Sequence, residues 1–213
     1  MPCPPQSCPP SPEPLRCPCS ADFRRVLDLL CSPKLQPLVD FNAFAFVTDY
    51  YVLGSAVTVP DAAAVPGDNL VELSASYVCG GDSCEALTVS GILYPPTDGA
   101  AALASTVTQV ALCRLNAAVF AAAETAGGTA AANFQTISQT LGQILRPQKP
   151  QDCGSLADAL TNAAAVRAST VTAGPLIVQN STIIGQSGSI LVMANSTDNR
   201  FYFICADKID YMG

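Results

Sequence analysis

Histidine and tryptophan are absent from this chain. Without histidine, Ser-His-Asp and Cys-His catalytic sites within one chain are excluded. So are His-ligated zinc, iron and copper. Charge is scarce as well. Only 13% of the 213 residues are charged, against about 25% in ordinary soluble domains. Much of the surface is therefore expected to be covered, by neighbouring subunits or by sugar. Ten basic residues stand among 17 acidic ones, for a net charge of −7. Nucleic-acid affinity rests on Lys and Arg neutralising phosphates. No nucleic-acid partner is expected, and no membrane surface. No run of about 18 apolar residues is present to span a bilayer. The start has no basic region followed by about 7–15 apolar residues, so no secretory leader is expected. No CxxC, GxSxG, P-loop or GxGxxG motif occurs, which weakens zinc-ribbon, thioredoxin, hydrolase and nucleotide readings. No paired carboxylates stand out for acid/base work. The expectation is a non-enzyme with no cofactor and no metal.

What the chain has is proline and cysteine. Residues 1–20, MPCPPQSCPPSPEPLRCPCS, hold eight prolines and four cysteines. Proline fixes φ and removes a backbone donor, so this run forms neither helix nor central strand. It is expected to be an extended, polyproline-like connector arm. A single α+β domain is expected over residues 21–213. Cys3, Cys8, Cys17 and Cys19 sit along the arm and are candidates for intermolecular disulfides. Ten cysteines in all point to an oxidising location. Cys31, Cys113 and Cys205 read equally well as small buried hydrophobes. Cys17-Pro18-Cys19 also admits a redox reading, with Arg16, Arg24 and Arg25 near. Cross-linking accounts for all four arm cysteines together.

In the domain, Ser20 is an N-cap candidate. Phe23, Val26, Leu27 and Leu30 then fall on one face of a short helix. Residues 43–59 read as one or two strands, with Gly54 as a bend. Residues 62–69 read as a loop. Residues 71–77 alternate as a half-buried strand, and the return strand runs from Glu85 to Leu93. Cys79 and Cys84 flank the tip, Gly80-Gly81-Asp82-Ser83, and are expected to form an intramolecular disulfide. Pro95–Gly99 reads as a turn, 106–113 as a strand, and 115–126 as a helix broken by Gly127-Gly128. Residues 130–145 place Phe134, Ile137, Leu141 and Ile144 on one helical face. Another helix is expected over 155–167, with Ser155 and Asp158 as a capping-box variant. The last forty residues read as short strands, PLIVQ, STIIG, SILVMA and RFYFICA. The fold class is α+β, an antiparallel β-sandwich-like sheet with a few inserted helices.

Asn180-Ser181-Thr182 and Asn195-Ser196-Thr197 match glycosylation acceptors. Both asparagines also fit turns, the simpler reading. Asp198, Asp207 and Asp210 lack the spacing of a calcium site and read as turn carboxylates.

Two segments, FRRVLDLLCSPKLQPLVDFNAFAFVTDYYVLG (23–54) and TAGPLIVQNSTIIGQSGSILVMANSTDNRFYFICADKID (172–210), carry a resemblance. From Cys17 onward the chain resembles spore-surface proteins of spore-forming Firmicutes. The arm is similar in plan to the N-terminal connectors of endospore appendage subunits, which cross-link neighbours. It lacks their adjacent Cys-Cys pair, and its domain is longer and more helical. The resemblance implies a location at the cell or spore surface, with release by lysis of the mother cell. It also implies a structural subunit that self-assembles through its arm into a disulfide-stabilised fibre or layer. The partners would be copies of itself and other surface-layer proteins. A viral capsid or cement protein, and a surface-displayed adhesive or glycan-binding module, are the alternatives that the composition leaves open.

Overall fold

The computed structural model describes residues 19–49, 52–54, 71–80, 85–93, 105–145, 170–174 and 176–213. Helix α1 spans Ser20–Leu30. Its four expected core residues, Phe23, Val26, Leu27 and Leu30, are all buried. The N-cap is Cys19 rather than Ser20, and no side chain caps the helix. Asp22 in the first turn complements the helix dipole.

Six strands follow: β1 (Val39–Thr48), β2 (Val52–Gly54), β3 (Val71–Tyr77), β4 (Ala86–Leu93), β5 (Ser105–Ala111) and β6 (Leu115–Ala122). Next come helix α2 (Ala130–Ile144) and strands β7 (Thr170–Ala173), β8 (Leu176–Gln179), β9 (Thr182–Ser187), β10 (Ile190–Asn195), β11 (Arg200–Cys205) and β12 (Tyr211–Met212). Nine strands form one sheet in the order β5-β4-β3-β2-β1-β6-β11-β10-β9. Strands β12, β7 and β8 form a second sheet. Pairing is antiparallel except between β2 and β3. The α+β class and its antiparallel sheet hold.

The middle of the large sheet, β6, β10, β11 and the second half of β1, is buried on both faces. Phe44 and Phe46 of β1, Phe120 of β6 and Phe203 of β11 point into a core shared with α1 and α2. Ala45, Val47, Val119, Tyr202 and Ile204 point the other way, onto β7 and β8. This explains why the C-terminal strands read as nearly continuous apolar runs. Both alternating positions need apolar side chains when a layer covers each face.

Of residues 115–126, expected as a helix, Leu115–Ala122 form β6 instead. This strand lies between β1 and β11, with Phe120 paired to both Phe44 and Phe201. Alanine favours a helix in isolation. Here the small side chains of Ala117 and Ala118, both fully buried, let covering layers approach from both sides. Tertiary packing overrides the local preference. Phe120 also sits among Phe41, Phe46 and Tyr77, with centroids 5.8, 6.0 and 5.9 Å away.

Helix α2 follows the expected stripe at Phe134, Ile137 and Leu141, but Ile144 is 51% exposed. The helix ends there, so this residue leaves the buried face. Thr129 is the N-cap, accepting from the Ala132 amide at 3.3 Å. The loop at 62–69, the turn at 95–99 and the helix at 155–167 lie outside the described residues.

Candidate functional site

The site worth building is the root of the arm. Residues 1–18, with Cys3, Cys8 and Cys17, lie outside the described residues. Cys19 does not. It is buried at the start of α1 and forms a disulfide with Cys205, the last residue of β11. The intermolecular role expected for Cys19 is therefore corrected. The two residues are 186 positions apart, and no local pattern announces the pair.

Beside this bridge, α1 grips the turn between β9 and β10. The Asp22 carboxylate accepts from the Ser189 amide and the Ser189 hydroxyl, both at 2.8 Å. Its other oxygen accepts from Arg25 at 3.1 Å. The Ala206 amide donates to the Ser189 carbonyl at 2.8 Å, which ties the turn to the end of β11. Gly188 makes the approach possible. It has φ +57°, and a Cβ there would collide with the Asp22 carboxylate. Replacing Gly188 with Ala combines backbone strain with that clash. The strain alone costs about 1–3 kcal/mol. Urea unfolding of Gly188→Ala is expected to show at least that loss, while an unchanged midpoint would rule the clasp out.

A second disulfide joins Cys31, just past α1, to Cys79. The expected Cys79–Cys84 pair is thereby corrected. The reason is register. Tyr77 pairs with Val89, and the Val78 amide donates to the Thr88 carbonyl. Continuing the ladder sets Cys79 opposite Leu87, not Cys84. The hairpin is asymmetric about its Gly-Gly, which a symmetric placement of the tip misses. Cys84 itself lies outside the described residues. Cys113 is disulfide-bonded as well, and lines the same shallow pocket as Cys19 and Cys205.

The remaining candidates do not converge. Asn195 is buried. Its side-chain carbonyl accepts from the Thr197 amide at 2.8 Å, and its amide donates to Asp198 at 3.3 Å. This is a turn-forming asparagine. Asn180 is exposed and has φ 50°, a left-handed turn position. Asp210 accepts from the Gly174 amide at 3.0 Å. Among the described residues, Cys19, Cys205 and Asp207 alone bring ligand atoms close enough for a metal. The two sulfurs of that group are bonded to each other.

Asp49 and Lys208 form an ion pair at 3.0 Å between the end of β1 and the turn after β11. The Lys208 hydrogen bond holds the Asp49 carboxyl below its ordinary value of 3.8. A depressed carboxylate contributes stability that is present above the unfolded pKa and lost as pH falls through the folded one. Wild type is therefore expected to lose stability more steeply than Lys208→Met as pH falls through the carboxylate range. Once acid has protonated Asp49 in the folded state as well, the stability difference between wild type and Lys208→Met should vanish. A difference that persists unchanged there would assign the effect to packing instead.

Residues 17–213 match the family model described as spore coat protein CotA-like. The chain belongs to the spore coat protein CotA-like family. The match starts at Cys17, so it takes in the anchor at Cys19 and Cys205 but not the Pro-rich stretch before it. Spore coat protein CotA of Clostridioides difficile (strain 630) is similar, at 25% identity over 261 aligned residues. The alignment covers 92% of this chain and 83% of that protein. No solved structure matches. Membership in the CotA-like family places the chain at the spore surface as a structural protein. No helix among the described residues is long and apolar enough to cross a membrane.

Proposed function

We propose that this protein is a non-enzymatic subunit that cross-links to copies of itself, and to other coat components, through its N-terminal arm. The observation that carries the reading is the anchor at Cys19. The chain becomes firmly held at the residue where the Pro-rich run ends, by a disulfide and by the Asp22 clasp. Any pull on the arm would pass directly into β11, an inner strand of the large sheet.

The linking thiols are then Cys3, Cys8 and Cys17. Two thiols form one bridge by giving up two protons and two electrons to an oxidant, either dioxygen or a small-molecule disulfide. A pre-extended arm loses less conformational entropy on docking than a flexible tail does. When each arm reaches the next subunit the contact is heterologous and propagates as a fibre or layer unless it closes. Family membership supports this reading over a viral shell. Electron microscopy of purified protein, before and after reductant, tests it. Extended assemblies that disperse on reduction support the proposal. Monomers under oxidising conditions would overturn it.

A further inference from the structure

The two disulfides at the ends of α1 differ in access. Cys19 and Cys205 are buried. Cys31 and Cys79 are half-buried, at the rim of the core. Pro33 and Lys34, just past Cys31, are exposed. Val78, beside Cys79, is 43% exposed. A thiolate opens a disulfide by attacking one of its sulfurs, so access decides which bridge exchanges. The buried bridge holds the root of the arm. The half-buried one, at the far end of α1, is open to an incoming thiol.

The helix end sets which sulfur is attacked. Cys31 is the C-cap of α1, and its amide donates to the Leu27 carbonyl at 2.9 Å. The negative end of the helix dipole disfavours a thiolate there. Cys79, just past β3, is therefore the better leaving group, and Cys31 takes the new bond.

We propose that the Cys31–Cys79 bridge is the acceptor to which an arm thiol of a second copy links. This rests on the reading that the arm joins chains. The arm sulfur bonds to the Cys31 sulfur as the Cys31–Cys79 bond breaks. Cys79 leaves as a thiolate and takes up a proton. One disulfide replaces another, so the step consumes no oxidant. The length of α1 favours a second copy over the chain's own arm. Cys31 lies twelve positions beyond Cys19, roughly 18 Å along the helix. Cys17, two residues before Cys19, spans at most about 7 Å. Cys17 therefore meets Cys31 only on another copy. A link from the start of α1 on one chain to its end on the next is heterologous, so it propagates.

Two measurements test the acceptor. In the first, the full chain carrying Cys3→Ser/Cys8→Ser/Cys17→Ser is oxidised, its free thiols are blocked, and limiting reduced glutathione is added. Mass spectrometry should then find glutathione on Cys31 and a new thiol at Cys79, with Cys19 still joined to Cys205. Glutathione that opens Cys19–Cys205 and leaves Cys31–Cys79 closed would overturn the proposal. In the second, ordinary and nitrogen-15-labelled wild type are mixed while reduced, oxidised together and cleaved after Arg and Lys. Peptide 26–34, whose sole cysteine is Cys31, should be joined to arm peptide 1–16 or 17–24 of the other label. Peptide 26–34 joined to arm peptides of its own label alone would overturn the proposal. Arm peptides joined across labels solely to one another, with 26–34 still held to 35–114, would overturn the acceptor and leave the linking role of the arm standing. No arm peptide joined across labels would overturn both.

Discussion

Deleting residues 1–18 is expected to abolish reductant-sensitive multimers completely, leaving monomer on a non-reducing gel. The triple variant Cys3→Ser/Cys8→Ser/Cys17→Ser should give the same result with the prolines intact. Both variants retain Cys19, so the anchor to Cys205 stays closed and the domain keeps its stability. This separates loss of linkage from loss of fold. The expected pattern is an unchanged unfolding midpoint with the multimer ladder gone. A ladder that survives in the triple variant would place the linking cysteines in the domain.

Cys19→Ala/Cys205→Ala should do the reverse. Breaking a bridge between residues 186 apart removes a large constraint on the unfolded chain. Loss of a native disulfide typically costs about 2–5 kcal/mol. For a domain of this size that lowers the melting temperature by roughly 4–20 °C. Alanine avoids leaving a hydroxyl at positions that are 4% and 1% exposed. Changing both residues avoids a stray thiol. The arm cysteines remain, so multimers should still form below the melting transition. Differential scanning calorimetry reads the first effect and a non-reducing gel the second. An unshifted melting temperature would show that the bridge does not hold α1 to the sheet.

Much of the fold was legible locally. The stripe Phe23, Val26, Leu27 and Leu30 marks α1, and its burial is complete. The C-terminal strands announce themselves by their apolar runs and their turn asparagines. Strand β6 did not, because alanine carries a helical preference and the second covering layer leaves no alternation to read. Once β7 and β8 cover that face, both positions of the period become apolar. The hairpin at Cys79 was legible as a hairpin but not in register. Two glycines centre a tip by eye, whereas the pairing of Tyr77 with Val89 sets it off-centre.

The candidate site was half legible. Proline content defines an arm, and the end of the proline run places its root. What holds that root depends on Cys205 and Ser189, more than 160 residues downstream. Disulfide connectivity has no local signal, since any cysteine pairs with any other that the fold brings near. Nothing in the sequence marks out Asp22. Its partner, and the need for glycine at 188, exist only once α1 lies against the β9–β10 turn.

The central claim is that arm cysteines bond between chains. Equal amounts of ordinary and nitrogen-15-labelled protein, mixed while reduced and then oxidised, test it most directly. Cleavage after Arg16 and Arg24 puts the arm on peptides 1–16 and 17–24. Non-reducing mass spectrometry should find disulfide-linked pairs that contain one of these peptides and carry one label from each source. Arm peptides linked solely within a single label would contradict the account.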